Sequence, residues 1–495
     1  MLGIDRLEGS ALRATILVTC GFCFTLFGYD QGVLGGVISV PLFLKAINNP
    51  DSTIQGVVVS IFDVGCMVGC GLSAVYGLTL GRRNALMAGG ALIVLGGAGQ
   101  AAVFHIAQMV IFRIIAGVGL GVVSSTVPVW LSETSKPGKR GRNVAIQLIL
   151  VLFGNVTSYW INYALSYTTG QITIRFPLAW QCFYPIVALL LATQLPESPR
   201  VLYLWNKAEE ADEVLRQLRG ASSIHDPELA NEKKEILDGI AFDQERTSGD
   251  PLWRILFWDK SPIRNSRRLF IIVMIQGLQQ LGGANVIAYY QTELFSQSVK
   301  LAPNISKLVA GCSAICYMMG TFPAAYLVEK LGRRRLMLAG SFGCFTTMLI
   351  FMILLALGEG NVSMGWGAVA MLFLFEFIYA TSWCSVVWVY CPEISPLRFR
   401  HINTSLGVMS QWAMTFLTVM MAPTAIQNTG WRIYIFFVIA NFLQMPFVFF
   451  FCPETSGKKL EDIDAFFEAA LVVDNIDVEQ PEPSKGTMDE KAREI

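Results

Sequence analysis

Among the amide side chains inside apolar stretches of this 495-residue chain are Gln147, Gln279, Gln280, Asn285 and Gln411. An amide withdrawn from water must find partners, so each packs inward or faces a cavity. Amides donate and accept hydrogen bonds, as hydroxyl groups do, so such a set suits a solute rich in hydroxyls. Gln279 and Gln280 precede Asn285 by about a turn and a half, and a helix broken at Gly282-Gly283 brings them close to one face. Trp388 and Trp412 offer flat apolar surfaces for a ring, with Phe27, Tyr289 and Tyr290 as walls. The competing assignment is that these amides join helices, at about 0.6–2 kcal/mol each. No charged group falls among them, so a neutral polyol fits better than a carboxylate or an amine.

Asp30 and Arg113 are the next pair with chemistry to offer. An ionised carboxylate at membrane depth costs about 2.5–3.5 kcal/mol on insertion scales. Pairing with an arginine offsets that cost, and a competing proton releases the arginine, so the pair can act as a proton-gated latch. A static ion pair that orders the helices is the alternative. Asp63 and Glu376 also fall in apolar stretches, and Glu376 is either a structural acid or a determinant of the solute. No nucleophile–base pair or metal-ligand cluster is present, which argues against an enzyme, a cofactor and a metal site. The eleven cysteines are scattered singly as small apolar fillers.

The elements that must position these residues are long apolar helices. The chain is 53% hydrophobic and only 15% charged, against about 25% charge in soluble domains. Its formal net charge is zero, which excludes a basic nucleic-acid binder. A helix needs about 20 apolar residues to cross a bilayer. Candidates lie near 14–39, 54–79, 84–104, 107–131, 144–165 and 178–195, then 268–296, 306–328, 335–357, 366–391, 402–424 and 431–452. The chain therefore reads as an all-α polytopic membrane protein with twelve transmembrane helices in two pseudo-symmetric six-helix bundles. The first bundle spans 1–195, a polar central loop 196–267, the second bundle 268–464 and an acidic, disordered tail 465–495. The first helix lacks a cleavable signal pattern and stays.

Cations gather in the loops after even-numbered spans: Arg82 and Arg83, Lys136 to Arg142, Lys330 to Arg335, and Arg398 with Arg400. The positive-inside rule places those loops, the central loop and both termini in the cytoplasm. The sequons at Asn304 and Asn361 then face outward as glycosylation acceptors. The halves repeat: Leu80-Gly81-Arg82-Arg83 answers Leu331-Gly332-Arg333-Arg334, and Pro196-Glu197-Ser198 answers Pro453-Glu454-Thr455. A site at the interface of two such repeats, with rocking between two open states, is the architecture this implies.

From about Phe27 to Asp464 the chain resembles the sugar porter family of the major facilitator superfamily, in a form common among fungal sugar/proton symporters. The resemblance rests on Gly28-Tyr29-Asp30-Gln31-Gly32, Arg113 to Gly121, Pro128 to Glu133, Pro196 to Arg200, Gln279 to Asn285, Val328 to Arg334, Pro392-Glu393-Ile394 and Pro453-Glu454-Thr455. It implies that Phe27, Gln147, Gln279, Gln280, Asn285, Tyr290, Trp388 and Gln411 contact a sugar-like substrate. It implies proton coupling through Asp30 and Arg113. It further implies a cytoplasmic gate held by salt bridges among Arg82, Arg83, Glu133, Arg140, Glu329, Arg333, Arg334, Glu393 and Arg398.

Three departures from the family pattern carry expectations. Leu78 stands where an aspartate usually opens the first arginine motif, which predicts a looser latch in the first half. Cys384 to Trp388 lacks two prolines, which predicts a straighter span ten. Tyr317 replaces an asparagine and narrows the cavity. In the central loop, Asn206 to Leu218 has an amphipathic pattern, acidic early and basic late, which predicts a bracing helix. The expected activity is secondary transport of a sugar or polyol, as a proton symporter in a bilayer, with the protein monomeric at the plasma membrane. A passive facilitator, a metabolite exporter and a non-transporting nutrient sensor are the alternatives.

Overall fold

The computed structural model describes residues 7–38, 40–135, 140–221, 226–245, 256, 258, 264–297, 299–358, 361–396, 399–457 and 467. Among these residues the regular structure is helical. Eleven stretches are long and apolar enough to cross a membrane, and the longest, Arg400–Phe451, comprises two helices, which makes twelve spans. Spans one to five are Gly9–Val37, Ser52–Leu80, Arg82–Ala101, Ile106–Thr134 and Arg140–Leu165. Span six is Ile172–Trp180 followed by Phe183–Ala192. Span seven is Asn265–Leu281 followed by Ala284–Gln297, and span eight Pro303–Met319 followed by Thr321–Leu331. Span nine is Arg333–Leu357, span eleven Arg400–Thr429 and span twelve Ile433–Phe451. Span ten runs Val362–Tyr379, a wide π turn at Ala380–Cys384, and Ser385–Ile394. Of the tail expected to be disordered, all but Phe467 lies outside the described residues.

Apolar stretches place the spans closely, with errors at their ends. The first helix begins at Gly9 rather than near residue 14, and span six begins at Ile172 rather than near 178. Polar residues such as Arg13 and Arg175 hide these ends from a hydropathy reading, although a helix continues past the hydrocarbon boundary.

Within the first half, span one packs on span five, and spans two and three pack on span four. With little hydrophobic drive between helices in lipid, small residues set the approach. A Cβ on Gly121 of span four would stand 2.1 Å from the Cys66 carbonyl of span two, and one on Gly69 would stand 2.2 Å from the Val118 carbonyl. In the second half, span seven packs on span eleven, and spans ten and twelve pack on span nine.

The halves meet through spans two and eleven, five and eight, and one and seven. Span two follows span eleven along its whole length. At one end Thr53 Oγ1 lies 3.3 Å from Thr424 Oγ1, at mid-length the Phe62 and Trp412 rings are 6.3 Å apart, and at the other end His401 Nε2 is 2.6 Å from the Ser73 carbonyl. The second half of span seven closes on span one at the end opposite the arginine motifs, and there Tyr159 Oη of span five also donates to the Ala288 carbonyl at 2.6 Å.

The expected bracing helix forms as Ala208–Arg219, burying Ala211, Val214, Leu215 and Leu218. Gly220, at φ +68°, ends it in the left-handed conformation a C-cap requires. Arg216 bridges Glu213 at 2.7 Å and Glu8 at 2.8 Å, which ties this helix to the start of the chain.

Candidate functional site

The centre of the molecule is an aromatic cluster drawn from both halves. Phe24 and Phe27 come from span one, Phe62 from span two, Trp388 from span ten and Trp412 from span eleven. The Phe27 ring lies 5.1 Å from Trp412 and 6.5 Å from Trp388, and Phe24 lies 6.0 Å from Trp388. Phe27, Trp388 and Trp412 are all buried. Such rings supply flat apolar faces beside any hydrogen-bonding group that projects between them.

The predicted amides divide into two sets. Gln147 Nε2 donates to the Leu17 carbonyl at 3.1 Å, while its Oε1 is buried and has no partner among the described residues. Gln280 Oε1 and Gln411 Oε1 are likewise buried and unpartnered, as is the indole nitrogen of Trp412. These atoms remain available to a solute. Gln279 is committed elsewhere: its Nε2 donates to the Trp383 carbonyl at 3.1 Å, and its Oε1 faces Gln280 Nε2 at 3.4 Å. Asn285 Nδ2 donates to Thr415 Oγ1 at 2.9 Å, and Tyr290 Oη donates to the Val419 carbonyl at 3.2 Å. These last two bonds hold the second half of span seven against span eleven. Gln279, Asn285 and Tyr290 therefore spend amide or hydroxyl groups on helix–helix contacts, as the competing assignment held for the amides.

Span seven breaks at Gly282-Gly283, as the sequence indicates. Gly283 takes φ +96°, open to glycine without strain, and its missing side chain leaves room for the Phe437 ring. Span ten, by contrast, is not the straight helix expected from its missing prolines. The π turn at Ala380–Cys384 interrupts it, and Ser385 Oγ reaches the Ala380 carbonyl at 2.8 Å. Side chains that capture carbonyls can widen a helix without proline. Here Trp383 is anchored by its Nε1 to Ser341 Oγ at 2.8 Å, and its carbonyl accepts from Gln279. Tyr317 is buried and packs against Tyr379 at 6.1 Å, filling the space left beside this turn.

Asp30 and Arg113 form a fully buried pair. Arg113 Nη1 donates to both carboxylate oxygens, at 3.0 and 3.1 Å, and Nη2 donates to the Val59 carbonyl at 2.6 Å. The guanidinium carbon lies 4.4 Å over the Phe62 ring. Asp30, Arg113, Phe62 and Trp412 thus form one continuous chain of contacts from the ion pair to the aromatic cluster. Asp63, beside them, meets Tyr289 Oη across the halves at 3.4 Å. Glu376 is held by Gln291 Nε2 at 2.9 Å and Ser313 Oγ at 2.5 Å, which makes it a polar clasp between spans seven, eight and ten.

Of the expected gate charges, those that form ion pairs among the described residues do so within one half. Arg82 Nη2 meets Glu133 at 3.2 Å within the first half, and Arg333 Nη2 meets Glu393 at 2.7 Å within the second. Arg83 caps the Ala192 carbonyl at 2.9 Å, and Arg334 caps the Phe449 carbonyl at 2.5 Å. The Glu329 side chain is exposed, and among the described residues it forms no ion pair. The Arg140 side chain and Arg398 lie outside the described residues. At Leu78 the backbone carbonyl accepts from Trp205 Nε1 at 3.1 Å, and a carboxylate from elsewhere in the chain reaches the turn that follows.

That carboxylate is Glu197, which the motif reading did not assign to the gate. Its oxygens accept from the backbone N–H groups of Arg82 at 2.8 Å and of Arg83 at 3.1 Å, capping the start of span three. Burial pushes the Glu197 carboxyl above its ordinary range, against the pull of these amides. Glu454 does the same for span nine, accepting from Arg333 N at 2.8 Å and Arg334 N at 3.1 Å. The signal was present in the repeated Pro-Glu-Ser/Thr, since a carboxylate favours an uncapped helix N-terminus. Both sequon asparagines are exposed at the end opposite the arginine motifs, and Asn361 Oδ1 also caps span ten through Ser363 N at 3.0 Å. No group of His, Cys, Asp and Glu able to hold a metal occurs among the described residues.

A family profile described as Sugar (and other) transporter matches residues 15–467. The MFS-type transporter oryC of Aspergillus oryzae is 35% identical over 476 residues, covering 94% of this chain and 88% of its own. Sugar transporter STL1 of Saccharomyces cerevisiae is 32% identical over 477 residues, covering 94% and 83%. Among solved structures, the proton:xylose symporter XylE bound to 6-bromo-6-deoxy-D-glucose superposes with a TM-score of 0.79 at 24% identity, covering 93% of this chain and 100% of its own. That likeness establishes the twelve-helix fold of the major facilitator superfamily.

Proposed function

For a chain that belongs to the sugar (and other) transporter family, we propose proton-coupled secondary transport of a small neutral sugar or polyol by alternating access. The observation that carries the solute class is a set of buried polar atoms that have no partner among the described residues, Gln147 Oε1, Gln280 Oε1, Gln411 Oε1 and Trp412 Nε1, the last of them part of the aromatic cluster. A buried polar atom without a partner costs about 1–3 kcal/mol. Three acceptors and one donor match a solute that both donates and accepts through hydroxyls, while Trp388 and Trp412 cover its apolar face.

Proton coupling runs through Asp30. A proton on this carboxylate removes the counter-charge of Arg113, whose Nη2 remains on the Val59 carbonyl and whose plane remains on Phe62. Phe62 in turn packs against Trp412, so a shift of the guanidinium reaches the solute site through two ring contacts. Charge neutralisation and solute binding thereby favour the same rearrangement, which is the requirement for symport. The arginine-rich face is cytoplasmic by the positive-inside rule, and Asn304 and Asn361 are then outward glycosylation acceptors. The monomer contains the whole pathway, and the plasma membrane is its site of action.

The test is uptake of labelled hexoses, pentoses, disaccharides and polyols by cells lacking their own carriers, with and without a protonophore. Concentrative uptake of one of these solutes that collapses with the protonophore is the expected result. Uptake indifferent to the protonophore makes the protein a passive facilitator. Failure to take up any of them, with the protein at the cell surface, overturns the solute class and brings the exporter and sensor readings forward.

A further inference from the structure

The ion pairs Arg82–Glu133 and Arg333–Glu393 at the arginine-rich face each lie within one half, and a different kind of contact joins the halves there. The sequence offers no motif for it. The structure places His401, the second residue of span eleven, against span two of the opposite half. Its Nε2 lies 2.6 Å from the Ser73 carbonyl, and the ring is buried. This approach is possible because residue 77 is glycine: a Cβ there would stand 2.2 Å from His401 Nε2 and 2.5 Å from Cε1. Gly77 is thus the socket, and the imidazole is the part that enters it.

We propose that His401 is the positioning residue that latches the two halves at the arginine-rich face, and that acid on that face releases it. In the closed arrangement Nε2 carries the proton donated to Ser73, and Nδ1 is buried without a partner among the described residues. A second proton would place an N–H at Nδ1 with nothing to accept it. The charged groups that face the ring are Arg82 of span three and Glu133 of span four, and these are already joined to each other. Span two contributes the Ser73 carbonyl and the Gly77 socket, and on its own helix Arg400 precedes it. The closed latch therefore accommodates only neutral imidazole. Once the halves part at this face, water reaches the ring, and it titrates near the ordinary value of about 6.5. Protonation of the parted state holds it open. The inference rests on alternating access and is independent of proton coupling through Asp30.

The size of the effect follows from linkage. If only the parted state binds the proton, its population rises by a factor of about 11 at pH 5.5 and about 1.1 at pH 7.5, a ratio of about tenfold. The sign is fixed: closure is favoured above about pH 6.5 and lost as pH falls below it.

The experiment is hydrogen–deuterium exchange of the full chain in lipid nanodiscs at pH 5.5 and 7.5, with rates divided by the intrinsic chemical rate at each pH. The readout is protection of residues 73–82 and 399–408, and span nine serves as the control for folding. In the wild type, protection at both segments falls about tenfold in acid. His401→Gln keeps a side-chain N–H for the Ser73 carbonyl but cannot titrate, so its protection is equal at the two pH values. Gly77→Ala fills the socket, so protection is low at both. Wild-type protection that does not change with pH overturns the release, as does His401→Gln retaining the tenfold change. Gly77→Ala with wild-type protection at pH 7.5 overturns the latch itself.

Discussion

Asp30→Asn separates the coupling role proposed for the buried pair from its structural role. Asparagine keeps one acceptor oxygen where Arg113 Nη1 now meets two, at 3.0 and 3.1 Å. The guanidinium retains the Val59 carbonyl at 2.6 Å and the Phe62 face at 4.4 Å but loses its counter-charge. Breaking a buried pair costs about 3–5 kcal/mol, and a surviving hydrogen bond from a charged donor returns about 1.5–3 kcal/mol. The expected net loss is therefore about 1–3 kcal/mol, seen as a lowered melting midpoint of the purified protein in detergent. Transport should change far more. One proton carried per solute across about 100 mV is worth about 2.3 kcal/mol, which supports roughly 50-fold accumulation. The variant should bring labelled solute to equilibrium and no further, whatever the membrane potential. A folded, surface-expressed Asp30→Asn protein that still accumulates solute, and still loses the gradient to a protonophore, refutes the assignment of Asp30 as the proton carrier.

Three further outcomes follow from the geometry. Gln280→Leu removes an unpartnered acceptor, so KM should rise about 2- to 13-fold, for about 0.5–1.5 kcal/mol, with the maximal rate retained; an unchanged KM removes Gln280 from the solute site. Glu376→Ala strands Gln291 and Ser313 and should lower stability by about 1–3 kcal/mol, while Glu376→Gln should lose less. Equal melting midpoints for these two variants would contradict the clasp. Gly121→Ala drives a Cβ to 2.1 Å from the Cys66 carbonyl and should abolish surface expression, whereas Gly71→Ala meets only Met409 Sδ at 4.0 Å and should be tolerated. Comparable expression of the two would show that spans two and four can separate at little cost.

The spans, the two-fold repeat, the break at Gly282-Gly283 and the pairing of Asp30 with Arg113 were all legible in the sequence. Each is written in local pattern: run length, repeated motifs, adjacent glycines, or opposite charges in apolar surroundings. What the sequence withheld depends on contacts between distant segments. Gln279 and Gln280 look alike on the page, yet one is spent on the Trp383 carbonyl and the other keeps a free oxygen. That difference arises from the π turn in span ten, which needs the packing of Trp383 on Ser341 and leaves no local signature. The arginines were assigned to the right loops, but their individual partners were not, because a motif does not say which carboxylate each guanidinium meets; the structure pairs Arg82 with Glu133 and Arg333 with Glu393. Glu197 and Glu454 were visible as repeated letters, and only their reach to the N-termini of spans three and nine gave them a role.

Spans two and eleven, touching at both ends and in the middle, form a balanced beam. From Thr53 to Ser73 the helix rises about 30 Å, and Phe62 falls close to half-way. Trp412 is similarly central between His401 and Thr424, so the ring contact at 6.3 Å is the natural fulcrum. Parting one end by about 5 Å about this point takes a tilt of roughly 19°, and the same tilt drives the far end together. An open passage through both ends at once would require the fulcrum itself to lift, against the packing of Phe62 on Trp412 and on Arg113. Leakage is thus opposed by leverage, and the Trp412 ring proposed to cover the solute also bears the turning load.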